Sequence, residues 1–308
     1  MFADYSWSEL SSIFAMQGFA GLTLFSVLVL MALGLAIIFG QMGVINMAHG
    51  EFMILGAYVT YLVSTLAQAH APALMPITFF ISMGLAFIVS GAAGMAVEWG
   101  LIRFLYRRPL DTLLATWGLS LIMQQAFRSI FGAREVGVTL PDWMMGSLAL
   151  TDMVEVPING LIVMAITLTI TLAVWLLMYR SRFGARVRAV VQNRPMAGAV
   201  GIDTEKVDRL TFGLGCGIAG IAGSAFTMIG STGPSAGQLY IVDTFLVVVF
   251  GGAASLIGTL ASAFAISQAQ STMEFFLSGS MAKVLTLLTV VAILMVRPQG
   301  LFTLKVRN

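Results

Sequence analysis

Long apolar runs separated by short polar stretches dominate the chain. Runs long enough to cross a bilayer lie near 18–39, 51–67, 76–102, 112–131, 158–179, 210–230, 241–257, 258–276 and 281–296. A transmembrane helix needs about 20 mostly apolar residues, so the pattern predicts an all-α integral membrane protein with eight or nine transmembrane helices. The number of crossings is open around 40–50 and within 241–276, where Gly-rich polar stretches are either turns or breaks inside a helix.

Composition agrees with this pattern and excludes other classes. Only 10% of the 308 residues are charged, against about 25% in soluble domains. The net charge of +2 gives no reason to expect a nucleic-acid partner. No P-loop motif is present, so ATP energy must come from another protein. With two histidines, His49 and His70, and one cysteine, Cys216, we predict no zinc hydrolase site, no other metal site and no cofactor.

Basic residues set the predicted orientation. Most of the sixteen Lys and Arg residues fall in 103–108, 180–209 and 297–307, and positively charged short loops stay in the cytoplasm. The acidic segment 132–157 lies between the first two of these and is predicted to face outward. Counting spans from the basic segments places the N-terminus outside and the C-terminus in the cytoplasm.

A weak internal repeat suggests one transmembrane domain over 1–308, with two inverted halves at about 10–131 and 210–297. One apolar span ends in Gly-x-x-Gly at Gly40 and Gly43, and another at Gly230 and Gly233. Inverted repeats with interrupted helices are typical of transporters and mark the solute path. The alternative is a chance recurrence of small residues that merely pack helices closely.

Two acidic residues follow these glycines. Glu51 is the only charged residue between Glu9 and Glu98, and a charge at bilayer depth costs about 2.5–3.5 kcal/mol, which favours a role in lining a solute path. The alternative is a surface turn at 40–50 with His49 and Glu51 solvated. Asp243 is the predicted counterpart of Glu51 in the second half, and its alternative role is a helix N-cap.

A polar stripe crosses the span 112–131. Thr116, Ser120 and Gln124 are spaced by four residues and therefore share one helix face. They could hydrogen-bond a solute or another helix, where such bonds contribute under about 1 kcal/mol each. The stripe alone favours contact between helices.

The segment 180–209 is the longest predicted cytoplasmic loop. Arg186 and Arg188 alternate with valines, which predicts a short amphipathic helix that ends near Pro195 and is suited to a groove of another protein. The alternative is binding to anionic lipid headgroups. The apolar stretch at 196–202 favours the protein partner.

Three stretches carry a resemblance that covers nearly the whole chain. They are GQMGVINMAHGEFMILGAY at 40–58, FGARVRAVVQNRPMAGAVGI at 183–202 and YIVDTFLVVVFGGAASLIGT at 240–259. The chain resembles the membrane permease subunits of bacterial ABC importers of the branched-chain amino acid type. NMAHGEF, DTLLATWGLSLIMQQ and VGVTLPDW are most similar to the urea-transport branch of that family. One departure is Ala253-Ala254, where relatives usually carry a large apolar residue and then Gly.

This resemblance implies a multi-pass permease of the bacterial inner membrane that imports a small polar solute. Its implied partners are a second homologous permease subunit, two cytoplasmic ATP-binding subunits and an extracytoplasmic solute-binding protein that meets the segment 132–157. Urea is the expected solute, with branched-chain amino acids or short amides as the alternative. The candidate solute-path residues are Asn46, His49, Glu51, Thr116, Ser120, Gln124 and Asp243. The candidate ATPase-coupling residues are Arg186, Arg188, Asn193, Arg194 and Gly201.

Two other functions stay open at this point. A passive channel for a small neutral solute would need the polar stripe and the broken helices but no cytoplasmic docking helix. An ion-coupled carrier could use Glu51 or Asp243 as its cation site and would work without partners.

Overall fold

The computed structural model describes residues 7–106, 108–151, 154–252, 255–297 and 300. Eleven α-helices are described there: α1 Trp7–Met42, α2 His49–His70, α3 Met75–Gly100, α4 Pro109–Phe131, α5 Ile158–Arg180, α6 Arg182–Gln192, α7 Arg194–Ala199, α8 Thr204–Phe226, α9 Ala236–Gly251, α10 Leu256–Phe276 and α11 Gly279–Val296. Two short strands, β1 Ser147–Thr151 and β2 Val154–Pro157, pair antiparallel. Several residues used in the sequence predictions lie outside the described residues, namely Arg107, Asp152, Ala253, Ala254, Lys305 and Arg307.

The predicted all-α membrane fold is confirmed. Each of the nine apolar segments coincides with one of the helices α1 to α5 and α8 to α11. Within the described ranges, six helical stretches are long and apolar enough to cross a membrane, and α9 is a shorter apolar helix. The number of eight or nine crossings stays a prediction. The hairpin in 132–157 was not predicted from the sequence.

The first interruption folds the chain back against α1. Gly43 adopts a φ of 63° after α1 ends, a backbone conformation that glycine adopts without steric cost. The following helix, α2, begins at His49, whose Nε2 lies 3.2 Å from the carbonyl oxygen of Met31. The start of α2 therefore lies beside the middle of α1. His49 and Glu51 are 0% and 1% exposed, so the alternative of a solvated surface turn is wrong.

The second interruption lies between α8 and α9. A Cβ atom added at Gly50 would collide with the backbone carbonyl of Gly237, and one added at Gly237 would contact the carbonyl of Gly50. The first turns of α2 and α9 thus meet in the interior with no side chain between them. Asp243 lies in the middle of α9, so the N-cap alternative is wrong. Gln238, which follows Gly237 as Glu51 follows Gly50, is the residue that corresponds to Glu51 by position.

Helix contacts repeat between the two halves. The helix α3 packs against α2 and α8, and α10 packs against α9 and α1; likewise α4 contacts α2, and α11 contacts α9. The same contacts result if α1, α2, α3 and α4 are exchanged for α8, α9, α10 and α11. These contacts follow the predicted division at about 10–131 and 210–297, and the two inverted halves stay a prediction.

The described helices begin and end in two separate regions of the protein. At one, here called the basic end (103–108 and 180–209), the Arg194 guanidinium lies 5.2 Å from the ring centroid of Tyr106, so the first two basic segments meet. At the other, here called the hairpin end (132–157 and 227–235), Val136 and Thr232 form a backbone bridge. The Trp143 indole also donates to the Pro76 carbonyl at 3.0 Å. The separation of these ends agrees with the predicted distribution of charge.

Candidate functional site

Glu51 joins the start of α2 to the polar stripe of α4. Its Oε1 accepts hydrogen bonds from Ser120 Oγ at 3.0 Å and from Gln124 Nε2 at 2.9 Å. Gln124 Nε2 also lies 3.1 Å from Ser120 Oγ. The stripe therefore contacts another helix, as its spacing favoured. Glu51 Oε2, in contrast, has no hydrogen-bond partner among the described residues.

The interrupted segment before α2 contacts the same stripe. The backbone N–H of Met47 donates to Thr116 Oγ1 at 3.1 Å, and the Thr116 hydroxyl donates to the Thr112 carbonyl at 2.9 Å. Asn46 Oδ1 accepts from the Ala48 N–H at 3.1 Å, whereas Asn46 Nδ2 is buried without a described partner. Asn46, Glu51 and the stripe thus form one buried polar region, here called the α2–α4 polar site (residues 46, 51, 116, 120 and 124).

The first turn of α9 closes this site on a third side. A Cβ atom added at Gly237 would lie 3.1 Å from Glu51 Cδ, so the carboxyl group lies beside the N-terminus of α9. The partial positive charge of a helix N-terminus favours a carboxylate there. The site offers a free acceptor on Glu51 and a free donor on Asn46, which suits hydrogen bonding to a small polar solute. No group of three potential metal ligands occurs among the described residues.

His49 and Asp243 lie elsewhere. His49, the first residue of α2, contacts α1, where its Nε2 lies 3.2 Å from the Met31 carbonyl oxygen. Asp243 Oδ2 lies 2.7 Å from Nζ of Lys283 in α11, and that ammonium also donates to the Leu239 carbonyl at 3.2 Å. The two predicted acids thus belong to separate contacts. Lys283 was missed from the sequence, although it is the only charged residue of an apolar helix.

The predicted coupling segment forms two helices instead of one. The first, α6, ends at Gln192, and Pro195 lies in the first turn of α7. The amphipathic helix thus ends near Pro195, as predicted, and Pro195 itself begins the next helix. A proline in the first helical turn removes a backbone N–H that has no partner within the helix. Val187 and Val190 are buried within the protein, so they cannot enter a partner's groove.

The coupling candidates differ in what they contact. The Arg188 guanidinium donates to the Met178 carbonyl and so fixes α6 to the end of α5. Arg194 forms an ion pair with Asp208 of α8 at 2.5 Å. Arg186 is exposed on α6, which leaves its charge available at the surface.

Two further candidates shape the backbone of this segment. Asn193 Oδ1 accepts from the Met196 N–H at 3.0 Å, which caps the N-terminus of α7. Gly201 adopts a φ of 86° where the chain turns toward α8. Both residues position the segment 194–203.

The chain is similar to permeases of known transport systems. Residues 18–294 match the family described as "Branched-chain amino acid transport system / permease component". The high-affinity branched-chain amino acid transport system permease protein LivH of Salmonella typhimurium is 28% identical over 96% of this chain and 97% of its own. LivH of Escherichia coli is 28% identical with the same coverage, and BraD of Pseudomonas aeruginosa is 26% identical over 91% of this chain and 93% of its own.

No solved structure matches the chain. The family match covers nearly all described helices, and the relatives align along almost their whole length. The chain therefore belongs to the branched-chain amino acid transport system permease family, and is a membrane permease component rather than an enzyme in its own right.

Proposed function

We propose that this chain is the translocation subunit of an ATP-driven importer and that its solute is a branched-chain amino acid. This proposal rests on the match, over 96% of the chain, to permeases named for branched-chain amino acid transport. The sequence NMAHGEF at 46–52 is similar to the urea-transport branch of the family and favours urea as a second candidate solute. The names of the relatives support the amino acid and do not specifically support urea.

The solute path passes the α2–α4 polar site in this proposal. Glu51 Oε2 and Asn46 Nδ2 are buried polar atoms without described partners, and such groups are costly unless a ligand or water satisfies them. They lie where two interrupted segments meet, which is where transporters with this arrangement bind their solutes. Asn46, Glu51, Thr116, Ser120 and Gln124 contact or shape the path. His49 and Asp243 act on it indirectly, through α1 and α11.

The basic end is the proposed contact with two ATP-binding subunits. Arg186 is exposed on α6, and large apolar side chains at Val191, Met196 and Val200 are 48%, 60% and 69% exposed nearby. An exposed surface that combines a cation with apolar side chains suits a protein partner more than a lipid headgroup layer. A movement of α6 and α7 would reach α5 through Arg188 of α6 and α8 through Arg194 of α7. A second permease subunit and a solute-binding protein complete the proposed assembly.

Reconstitution tests this function. Proteoliposomes with the permease subunits, ATP-binding subunits and solute-binding protein should accumulate labelled leucine only when ATP is present. Sustained accumulation by this chain alone would reject the ABC importer and favour an ion-coupled carrier. Rapid equilibration without accumulation would favour a passive channel.

Competition identifies the solute. In the same vesicles, excess unlabelled leucine should block leucine uptake, whereas excess urea should not. If labelled urea accumulates and leucine neither accumulates nor competes, the second candidate replaces the first.

Single cysteines test the proposed orientation, with N-terminus outside and basic end in the cytoplasm of a bacterial cell. Cys216 is fully buried and is replaced by alanine. A membrane-impermeant maleimide should label Asp142→Cys in intact spheroplasts, and Arg186→Cys only after permeabilisation. The reverse pattern would reject both the orientation and the contact of Arg186 with cytoplasmic subunits.

A further inference from the structure

A cavity at the basic end is separate from the α2–α4 polar site. It has a volume of about 760 Å³ and is lined by Met42, Arg103, Phe104, Tyr106, Arg108, Val190, Val191 and Arg194. Three separate parts of the chain form its wall: the end of α1, the segment after α3, and the α6–α7 junction. Three arginines lie in its wall, namely Arg103, Arg108 and Arg194.

The three arginines are not equally available to a ligand. Arg194 is paired with Asp208 at 2.5 Å, and Arg108 lies 3.5 Å from Asp111. No carboxylate of the described residues lies within ion-pairing distance of Arg103, and its Nε is buried without a hydrogen-bond partner. The uncompensated charge of the cavity therefore belongs to Arg103.

The surroundings of Arg103 identify the chemistry of the ligand. Its guanidinium lies 5.1 Å from the ring centroid of Trp99 and 4.5 Å from that of Phe104, and these aromatic side chains are 54% and 68% exposed. Exposed aromatic residues beside an arginine at the end of a transmembrane helix are typical of the membrane interface. The outer face of α3 continues from there with exposed apolar side chains such as Leu85 and Ile88.

We infer that this cavity binds the headgroup of an anionic phospholipid. The phosphate accepts hydrogen bonds from the Arg103 guanidinium, which presents planar donors suited to phosphate oxygens. The acyl chains extend along the apolar face of α3, past Trp99. Such a lipid would join the end of α3 to α6 and α7, because residues of both line the cavity.

A lipid fits this site better than an acidic side chain of a protein partner. An acidic side chain would need only the cation. The apolar face beside Arg103, unlike the apolar side chains of α6 and α7, belongs to a helix long and apolar enough to cross a membrane, and it provides a surface for two hydrocarbon chains. Basic cavities between transmembrane segments are known to bind anionic lipid headgroups. The inference does not depend on the identity of the transported solute.

Native mass spectrometry of the full-length chain tests this site. The detergent-purified protein is titrated with phosphatidylglycerol, phosphatidylcholine or inorganic phosphate. We expect retention of phosphatidylglycerol alone, and an affinity about five-fold lower in Arg103→Gln, as expected from about 1 kcal/mol for each basic residue near anionic lipid. Arg180→Gln is the matched control, because Arg180 ends α5 at the same end of the protein but does not line the cavity. Its affinity should equal that of the wild type.

Other outcomes overturn the inference. Equal retention of phosphatidylglycerol by Arg103→Gln and the wild type would remove Arg103 from any lipid site. Equal retention of phosphatidylcholine would indicate only an apolar annulus, and displacement of the lipid by inorganic phosphate would indicate a site for free anions. If Arg103→Gln loses an ATP-binding subunit while lipid retention is unchanged, the cavity belongs to a protein interface.

Discussion

Glu51 uses its two carboxylate oxygens differently. Oε1 accepts two hydrogen bonds from α4, whereas Oε2 is buried without a described partner. A buried acceptor without a partner costs about 1–3 kcal/mol. This cost is consistent with an oxygen that a solute or a water molecule reaches during transport. The structural contact with α4 and the proposed contact with solute therefore belong to different atoms of one side chain.

Replacing Glu51 by Gln separates these two roles. The amide oxygen can still accept from Ser120 and Gln124, so α4 should stay attached and the thermal midpoint should change little. The amide nitrogen at the position of Oε2 turns an acceptor into a donor, and uptake of labelled leucine should fall at least about ten-fold, equivalent to about 1.4 kcal/mol.

Glu274→Gln provides the control for this substitution. Glu274 lies on α10, where its carboxylate accepts from Gln270 at an exposed position. Uptake should be unchanged in that variant. A wild-type uptake rate in Glu51→Gln would show that Oε2 has no part in the path.

Gly50 is required by the close contact between the first turns of α2 and α9. A methyl group there would overlap the Gly237 carbonyl, and forced overpacking costs about 1–3 kcal/mol. Gly50→Ala should therefore lower the thermal midpoint in detergent and reduce uptake. In Gly84→Ala, by contrast, the added Cβ meets no atom within 4 Å, and the midpoint should be unchanged or higher because alanine favours helix. Equal midpoints for both variants would contradict the contact.

The second interrupted helix is attached to its outer helix by an ion pair rather than by neutral hydrogen bonds. The contact of α11 with α9 rests on Lys283 and Asp243 at 2.7 Å, with side chains 33% and 11% exposed. The contact of α4 with α2 instead joins Gln124 to Glu51 through a hydrogen bond. The two contacts thus use one buried acid each, but with different partners.

A double-mutant cycle measures this ion pair. Asp243→Leu and Lys283→Leu should each destabilise the protein, because each leaves the other charge without a partner. The double variant should be less destabilised than the sum, with a coupling of about 0.5–3 kcal/mol from thermal or denaturant unfolding.

A second double-mutant cycle, on Arg108 and Asp111, is the matched control. The side chains of this pair are 74% and 50% exposed. Its coupling should be below about 1 kcal/mol. Equal coupling in the two cycles would show that the Asp243–Lys283 pair contributes no more than a surface pair.

Element positions could be predicted from the sequence more fully than the contacts between elements. The lengths of the apolar runs alone predicted the positions of nine helices, because a helix needs a minimum number of apolar residues to span the bilayer. It could not locate the meeting of Gly50 with Gly237, since their approach depends on how α2 and α9 cross. Spacing grouped Ser120 with Gln124 but left Glu51 apart, because that contact joins residues 69 and 73 positions away in sequence. The glycine pattern likewise made Asp243 the counterpart of Glu51, whereas Gln238 occupies the matching position of α9, because sequence order alone does not fix which residue the fold places there.

At the scale of the whole molecule, the α2–α4 polar site and the basic end are connected through helices that run between them. The helix α8 reaches the basic end at Asp208, which pairs with Arg194, and its later turns are almost wholly buried beside α2 and α3. Thr60 of α2 shares a hydrogen bond of 2.7 Å with Ser224 of α8. A displacement of the α6–α7 segment would therefore reach α2 through packed contacts. This arrangement gives the proposed ATP-binding subunits a mechanical connection to the proposed path.

Arg186 provides the most direct test of that connection. It is exposed, and among the described residues it forms no ion pair or hydrogen bond like those of Arg188 and Arg194, so Arg186→Glu should leave folding and membrane insertion unchanged. Reversal of its charge should weaken docking of the ATP-binding subunits, and uptake driven by ATP should fall at least about ten-fold relative to the ATP hydrolysed.

Arg134→Glu makes the same charge change at an exposed position of the hairpin end and should retain coupling. Arg188→Glu should additionally lower the thermal midpoint, since it removes the hydrogen bond to the Met178 carbonyl. If uptake per ATP is the same in Arg186→Glu and Arg134→Glu, α6 is not the segment through which the motor subunits act.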